Sequence, residues 1–387
     1  LSTIKCFNTN KFKIYYFTSN KKCKKELIKE GFTVHYFPIN ILDRFILFLR
    51  RTVLLIASNV TPGNITPVKL IKYFLPKYNR FEKHFINQNV DIIYFVSPDV
   101  NCIHIEKLQY IITVWDLAHN NIAYFPELRE NNLFETRENY YRNILPKSYA
   151  IIVAHKLTKE LLIKKYFQDE KKIFTIPFKP SPKIIEEEKI NSQPLLTFKN
   201  LPKKYFYYPA QYAAHKNHRI LIETIHYLKN EGYKDFGLVF SGTDRGNLKF
   251  LKQIVERKDI DELVTFLPFI SDKEVFSIFK NAFALIMPTF LGPGTLPTME
   301  AMYINVPLIL PNFKFNKDYY QKSCLYYEFH DPKDLAMRIK ELDKSLEIRK
   351  ILLKESKLRY NSIMNESQNS EFIKYLEEFN SMINTYK

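Results

Sequence analysis

The chain alternates short apolar runs with amphipathic stretches over almost its whole length. In the first half, the apolar "KIYYF" is followed by the helical pattern "KKELIKEG" and then by "TVHYF". Further strand-like runs occupy Asp91–Ser97, Tyr110–Asp116, Ala150–His155 and Lys172–Phe178. Strands that alternate with helices in this way predict βαβ units and parallel sheets.

The second half repeats this rhythm after a polar, proline-bearing stretch, Lys179–Pro194. There "KYFYYPA", "FGLVFSG", "LVTFLPF", "ALIMPTF" and "VPLILP" are strand-like, with helical patterns between them. We therefore predict an α/β fold of two doubly wound, Rossmann-like domains facing across a cleft, with ligands at the carboxyl ends of the strands. The expected domains are residues 1–190 and 191–370, followed by a terminal helix, 371–387, that packs back on the first domain. Because the chain begins with Leu1, close to its first strand, we also expect the first domain to be truncated at its start.

The charge balance of the 387 residues is strongly basic, with 58 Lys and Arg against 41 Asp and Glu, a net charge of +17. Such an excess favours an anionic partner: nucleic acid, an acidic membrane surface or a phosphorylated small substrate. A lysine-rich composition with a solvated surface explains the charge equally well. No helix-turn-helix or RNA-binding motif is visible, and the aromatic residues fall mainly within apolar runs, so we expect no nucleic-acid partner.

A membrane span is not expected, because no run of 18 apolar residues occurs. The nearest candidate, Ile41–Ser58, is interrupted by four charged residues. It is either an interfacial helix on an anionic membrane or a helix partly buried in the core. The four cysteines are scattered without metal-binding or disulfide spacing, which favours a reducing compartment and no zinc site.

Two loops that follow predicted strands carry candidate chemistry. In "PAQYAAHKNH", Lys216 stands just before a helix, where the helix N-terminus favours an anion. It is either a phosphate ligand or one of many surface lysines. In "SGTDRG", Gly242 permits a tight turn after the strand, and Thr243 or Asp244 is a candidate helix cap.

A third loop, "LGPGTLPTMEAM", gathers two glycines and two prolines in a chain that has only 8 glycines. The backbone N–H groups of Gly294, Thr295 and Leu296 are placed to hold a phosphate oxygen at the start of a helix. Pro297 suits the first helical position, and Glu300, one turn further on, could accept hydrogen bonds from sugar hydroxyls. A plain turn is the alternative interpretation.

The order and spacing of these loops resemble the retaining glycosyltransferases of family 4, the group 1 glycosyltransferases with the GT-B fold. The segments that carry the resemblance are "YYPAQYAAHKNHRILIETI", "LVFSGTDRG", "VTFLPFISDKEVFSIFKNAFALIMPTF" and "LGPGTLPTMEAMYINVPLIL". In the first half, "YIITVWDLAH" and "FPELRENNLFETRENYYRNILPKSYAIIVAH" look like acceptor-domain segments of the same family. The family's glycine-rich loop after its first strand is not visible.

The resemblance assigns roles to residues of the second half. It implies that Lys216 binds the donor diphosphate and that Glu300 binds the donor ribose. Gln211 stands where the family often has an arginine, a charge that Arg219 or Arg245 could supply. Gly292 stands where the family has a first glutamate that contacts the transferred sugar. A Gly-Pro loop at this place is a variant that we associate with mannosyltransferase-like members.

The resemblance also implies a base pocket and a sugar contact. The segment "LPFIS" matches the region that receives the nucleobase, so Phe269 and Ile270 are base-pocket candidates. In "WDLAH", Asp116 or His119 is expected to contact the transferred sugar or the acceptor hydroxyl. Each of these residues also has a purely structural interpretation at a strand end.

The expected function is transfer of a sugar from GDP-mannose or a UDP-sugar to a glycan or lipid-linked acceptor in cell-surface polysaccharide synthesis. The resemblance implies a retaining, metal-independent reaction with no cofactor beyond the nucleotide-sugar substrate. We expect a cytoplasmic protein with peripheral contact to the anionic inner face of the membrane. The alternative is a catalytically impaired GT-B partner subunit of a glycan-assembly complex, which the absent side chain at Gly292 and the uncharged Gln211 favour.

Overall fold

The computed structural model describes residues 12–29, 31–37, 45, 48, 49, 80–190, 198, 201–292 and 294–386. The amphipathic candidate Ile41–Ser58 lies largely outside the described residues, as do Pro293 and most of the predicted linker after residue 190. The described chain divides into two compact units. One holds the residues up to Thr113 together with Glu135–Ile151, and the other holds Val114–Phe134 and the residues from Ile152 onward. The domain bounds expected from the sequence stay predictions.

The first half of the chain builds two small sheets. Strands β1 and β2 pair in parallel, and the second sheet has the order β3-β4-β5-β6. The strands are β1 Tyr16–Thr18, β2 Val34–Tyr36, β3 Ile92–Phe95, β4 Gln109–Val114, β5 Ala150–Val153 and β6 Ile173–Thr175. The helices are α1 Lys21–Lys29, α2 Arg80–Asn87, α3 Ala118–Asn121, α4 Leu133–Ile144, α5 Lys156–Tyr166 and α6 Pro182–Ile190. Short 3₁₀ turns cover Val100–His104, Pro126–Leu128, Glu130–Asn132 and Glu170–Lys172.

The first unit is held together by a buried carboxylate as well as by apolar packing. One oxygen of Glu82, on α2, accepts hydrogen bonds from the backbone N–H groups of residues 106, 107 and 108, at 2.6–2.9 Å. These bonds satisfy the polar backbone of the turn that leads into β4. Phe17 and Phe85 pack edge to face nearby, with ring centroids 4.5 Å apart.

The second half forms one six-stranded sheet of the order β12-β11-β10-β7-β8-β9, in which all pairs are parallel. The strands are β7 Lys204–Pro209, β8 Phe236–Ser241, β9 Val264–Leu267, β10 Ala284–Ile286, β11 Leu308–Pro311 and β12 Leu325–Tyr327. The helices are α7 His218–Asn230, α8 Leu248–Arg257, α9 Asp272–Asn281, α10 Leu296–Tyr303, α11 Lys314–Tyr320, α12 Pro332–Lys344, α13 Leu346–Asn365 and α14 Asn369–Tyr386. Further 3₁₀ turns cover Ala214–Lys216 and Asp261–Leu263. The predicted α/β fold with parallel sheets is confirmed.

The strand order of the large sheet places two of the predicted loops side by side. From β7 the chain moves to β8 and β9 on one side, then returns to place β10 on the other side of β7. The connections after β7 and β10 therefore diverge, and in doubly wound sheets such a switch point opens a ligand-binding crevice at the carboxyl ends of the strands. Lys216 follows β7, and the glycine-bearing loop follows β10.

Strand β7 shows why a run as apolar as "KYFYYP" forms the centre of this sheet. Tyr205, Phe206, Tyr207 and Tyr208 are all buried, because helices cover both faces of a parallel sheet. Buried tyrosine hydroxyls need partners. The hydroxyl of Tyr207 lies 2.7 Å from Oγ of Ser241, and that of Tyr208 donates to the carbonyl of Lys216 at 3.0 Å. The core of the strand thereby fixes the loop that follows it.

The terminal helix α14 packs beside β6. The backbone N–H of Thr175 donates to the side chain of Gln368, just before α14, at 2.8 Å. The ring of Phe174 contacts those of Phe372 and Tyr375, with centroids 5.2 and 5.1 Å away. Among the described residues, none of the helices combines the length and the apolarity needed to cross a bilayer.

Candidate functional site

The loop after β7, residues 210–217, is a rigid turn that delivers Lys216 to the start of α7; we name it the lysine loop. Tyr212 is buried and its hydroxyl donates to the carbonyl of Leu267, at the end of β9, at 2.6 Å. The 3₁₀ turn Ala214–Lys216 ends at Asn217, whose φ of 55° is left-handed and lets the chain enter α7. Asparagine tolerates this conformation better than most residues.

Lys216 lies half-buried in this loop, which changes its proton affinity. Burial lowers the pKa of its ammonium to about 8, and the nearby carboxylate of Asp116 acts in the opposite direction. Asp116 follows β4, and its Oδ1 accepts the backbone N–H of Ala118 at 2.8 Å. The structure thus brings together two of the residues that the sequence analysis selected, from elements a hundred residues apart.

A carboxylate–imidazole pair holds the lysine loop from one side. Oε1 of Glu127 accepts two hydrogen bonds from His215, one from the backbone N–H at 2.8 Å and one from the ring Nδ1 at 2.9 Å. Burial raises the pKa of Glu127, but the hydrogen bonds from His215 outweigh it and the net pKa is lowered. Burial lowers the pKa of His215, and the adjacent Lys216 lowers it further. Glu127 therefore stays ionised and His215 neutral at physiological pH.

The sequence analysis missed Glu127 and His215. Their contact joins positions 88 residues apart, and no local spacing rule links "FPEL" to "AHKN". The only available signal was the position of His215 beside Lys216. The carbonyl of His215 also accepts the N–H of Phe290, at 3.2 Å, at the start of the neighbouring loop. Glu127 thereby acts on both loops of the switch point.

The loop after β10 is held by a tyrosine hydroxyl. We name its described residues 291, 292, 294 and 295 the glycine loop. Gly294 has a φ of +71°, which glycine adopts without strain. Its N–H donates to the hydroxyl of Tyr320 at 2.9 Å, and that hydroxyl lies 2.7 Å from Oγ1 of Thr298. The N–H of Gly294 is therefore already paired. The half-buried Thr295 is the N-cap residue of α10, without a side-chain capping hydrogen bond, and the exposed Leu296 is the first residue of the helix.

Glu300 lies buried in α10 below this loop, with only 5% of its surface exposed. Its Oε1 accepts the backbone N–H of Ser181 at 3.3 Å. Burial raises the pKa of Glu300 to about 7, while the N–H of Ser181 lowers it and the charge of Asp272 raises it further. Pro297 is the second residue of α10, one position later than the sequence analysis expected.

The remaining predicted donor residues differ in their surroundings. Gln211 is exposed, and so is Arg245. Phe269 is 79% exposed, so its ring is accessible to a nucleobase, whereas Ile270 is buried in the hydrophobic core and contributes packing. Gly242, after β8, lies so close to the backbone of Ala210 that a Cβ there would be 2.2 Å from the carbonyl oxygen.

His119 differs from Asp116 in being fully buried. Its Nε2 lies 3.2 Å from the hydroxyl of Tyr166, and its ring packs against Phe134, 5.9 Å away. These contacts anchor α3 to α5. Of the two candidates in "WDLAH", Asp116 is the one whose charge acts on Lys216.

Family comparison matches residues 194–359 to the glycosyl transferases group 1 model. This part of the chain is therefore similar to the glycosyl transferases group 1 domain. The matched residues contain the six-stranded sheet, the lysine loop and the glycine loop. No curated protein matches the chain in sequence.

Solved glycosyltransferases share the fold of nearly the whole chain. A glycosyltransferase from Rickettsia africae is 16% identical, with a TM-score of 0.59 over 94% of this chain and 89% of that one. HepE of Anabaena, in complex with UDP-glucose, is 12% identical, with a TM-score of 0.59 over 95% and 91%. WaaG, a glycosyltransferase involved in lipopolysaccharide biosynthesis, is 10% identical, with a TM-score of 0.56 over 90% and 94%. At these identities the likeness shows the GT-B fold.

Metal ions in proteins are held by clusters of ligating side chains. Within the described ranges, no group of three or more His, Cys, Asp or Glu side chains is placed to hold a metal ion. The expectation of a metal-independent reaction stays a prediction.

We expect the pKa values of Lys216 and Glu300 to set a pH window for the binding of a nucleotide sugar. Lys216 carries its charge below about pH 8, and Glu300 is an ionised acceptor above about pH 7. We expect affinity for a nucleotide sugar to be greatest between these values and to fall by up to about tenfold per pH unit on either side. Calorimetric titration from pH 6 to 9 measures this profile.

Two variants assign the two limbs of that profile. Lys216→Met should remove the loss of affinity at high pH, and Glu300→Gln should remove the loss at low pH. A wild-type profile that is flat across the range would contradict the assigned roles.

Removal of the Glu127 carboxylate should loosen the lysine loop. In Glu127→Ala, the N–H and ring Nδ1–H of His215 lose their shared acceptor, so we expect unfolding free energy to fall by about 1–3 kcal/mol. We also expect a higher KM for the donor, because Lys216 is no longer held in place. Thermal unfolding and initial rates measure both effects. The exposed Glu130, changed to alanine, is the matched control, and equal effects of the two variants would refute the role of Glu127.

Proposed function

We propose that this chain is a retaining glycosyltransferase that transfers a sugar from a nucleotide-diphosphate donor to a glycan or lipid-linked acceptor. The observation that carries the proposal is the pairing of the lysine loop and the glycine loop at the switch point of the six-stranded sheet, between β7 and β10. One supplies a half-buried ammonium and the other a helix N-terminus, and both attract phosphate. The match of residues 194–359 to the group 1 family supports it.

Lys216 and the amino end of α10 would act on the leaving diphosphate. As the bond between the sugar and the phosphate breaks, negative charge grows on the phosphate oxygens. A preorganised ammonium in a partly buried site stabilises that charge more than water does. Asp116 favours the protonated ammonium, since its charge raises the pKa of Lys216.

The other donor contacts follow from position. Glu300, below the glycine loop, would accept hydrogen bonds from the ribose hydroxyls once it is ionised. The exposed ring of Phe269 would stack on the base. The acceptor hydroxyl would attack the anomeric carbon from the face that the diphosphate leaves, which retains the anomeric configuration. A phosphate oxygen would take the proton of that hydroxyl.

The acceptor and the setting are proposed from chemistry and from relatives. GDP-mannose and UDP-sugars are the candidate donors; HepE of Anabaena was solved with UDP-glucose. WaaG acts in lipopolysaccharide biosynthesis, and a lipid-linked precursor of a surface polysaccharide is the corresponding acceptor here. The net charge of +17 and the lysine-rich α1 suit contact with an anionic membrane surface at the cytoplasmic face.

Incubation of the purified protein with GDP- and UDP-sugars tests the proposal. We expect one donor to bind and to be turned over slowly in water and faster with the acceptor. Failure of every donor to bind would refute it. Binding without hydrolysis or transfer would instead favour an impaired partner subunit, an alternative that rests on the exposed, uncharged Gln211 and the absent side chain at Gly292.

A further inference from the structure

One imidazole lies beside both glycines of the glycine loop, together with Leu157 at Gly292 and Tyr319 at Gly294. A Cβ added at Gly292 would lie 3.3 Å from Cε1 and 3.6 Å from Nε2 of His155. A Cβ at Gly294 would lie 3.4 Å from Cδ2 of the same ring. The distance of 3.3 Å to Cε1 is shorter than ordinary van der Waals contact. A side chain at position 292 and the imidazole therefore compete for the same volume.

His155 is held in this position by the helix that it begins. It follows β5 and caps α5, where Nδ1 accepts the N–H of Thr158 at 3.4 Å. Only 8% of the residue is exposed, and the ring of Tyr319 lies edge-on at 6.4 Å. Burial lowers the pKa of His155 to about 4, so the imidazole stays neutral. Its place is therefore set by α5 and not by the loop that it touches.

We infer that His155 is the positioning residue of the glycine loop and occupies the volume that a side chain at position 292 would need. The inference rests on the proposed function, because the loop that His155 supports is the proposed donor site. Glycine at 292 and histidine at 155 would then form a reciprocal pair, because a Cβ at 292 requires the imidazole to shift by a few tenths of an ångström. The ring fixes the path of the loop, and so the direction of the α10 amino end, without adding charge.

A double-mutant cycle between the two positions tests this reciprocity. Gly292→Ala alone should lower Tm by about 2–4 °C, because the methyl group meets the ring. His155→Ala alone should raise the donor KM by about tenfold, because the loop loses its support. In the double variant the methyl group fills part of the void, so Gly292→Ala should raise Tm and return KM to within about threefold of wild type.

The KM rescue separates positioning from packing, since a contact that is only structural would restore Tm and leave KM high. The matched control is Leu157→Ala, because Cδ2 of Leu157 lies 3.2 Å from the same Cβ position but belongs to a flexible side chain. In the Leu157→Ala background, Gly292→Ala should give no KM rescue. His155→Asn, which keeps a polar cap for α5, replaces His155→Ala if the latter does not fold.

Three results are distinguishable. A wild-type protein that binds no nucleotide sugar refutes the proposed function, and the inference with it. A protein that is active but in which Gly292→Ala has the same effect on Tm and KM in both backgrounds overturns the inference alone. A Gly292→Ala effect on Tm that changes sign in the His155→Ala background, together with recovery of KM, supports it.

Discussion

Lys216→Ala is expected to lower the rate of donor turnover by about 10²–10³-fold, which is typical of removing one preorganised group that stabilises developing charge. The effect arises because Lys216 is the lysine-loop ammonium beside the switch point, held between the carboxylate of Asp116 and the start of α7. Alanine leaves that carboxylate without its cationic neighbour, so the site becomes less attractive to a diphosphate. Steady-state rates with the preferred nucleotide sugar measure the loss.

A matched variant guards against a general effect of lost positive charge. Lys249, on α8, is exposed, and Lys249→Ala should leave the rate within about twofold of wild type. Both variants should unfold at similar temperatures, because the ammonium of Lys216 is itself partly desolvated. A Lys216→Ala protein with wild-type turnover would remove Lys216 from the mechanism.

Gly242→Ala is expected to lower the free energy of unfolding by about 3 kcal/mol, at the upper end of overpacking effects. A Cβ at this position would lie 2.2 Å from the carbonyl oxygen and 2.7 Å from the carbonyl carbon of Ala210. These are backbone atoms of the lysine loop and cannot rotate away as a side chain could. The N–H of Gly242 also donates to Leu267, at 3.3 Å, so the strain would reach the exits of three neighbouring strands.

Gly246→Ala separates this collision from the conformational strain of glycine replacement. Gly246 lies in the same connection and has a φ of +91°, but a Cβ there meets nothing within 4 Å. Its replacement should lower the free energy of unfolding by about 1–2 kcal/mol, because alanine is strained in the left-handed conformation. Chemical denaturation of both variants gives the two values. If Gly242→Ala lowers the free energy of unfolding no more than Gly246→Ala does, the close approach to Ala210 is not the reason for glycine at position 242.

The sequence predicted the α/β class because the apolar runs of buried parallel strands are short, frequent and separated by helical patterns. It also placed Lys216 and the glycine loop correctly after strands, since a glycine-poor chain uses glycine where a turn needs it. Their adjacency depends on β10 pairing with β7, and strand order is set by packing of the whole sheet. The periodicity of apolar residues along the chain carries no information about the strand order.

The contacts that support the loops could not be predicted from local patterns. Glu127 meets His215 across 88 positions, and His155 meets Gly292 although neither residue type suggests the other. His119 illustrates the opposite case, in which a histidine near a strand end suggested chemistry but is buried against Tyr166. In each case the three-dimensional environment, not the residue type, decides whether a side chain faces a ligand.

A crystal structure of the protein with its nucleotide-sugar donor tests whether the lysine loop and the amino end of α10 hold the diphosphate. We expect diphosphate oxygens within about 3 Å of Nζ of Lys216 and of the N–H of Leu296 at the start of α10, with the ribose hydroxyls at Glu300. A nucleotide bound with its diphosphate away from both the lysine loop and the glycine loop would contradict it.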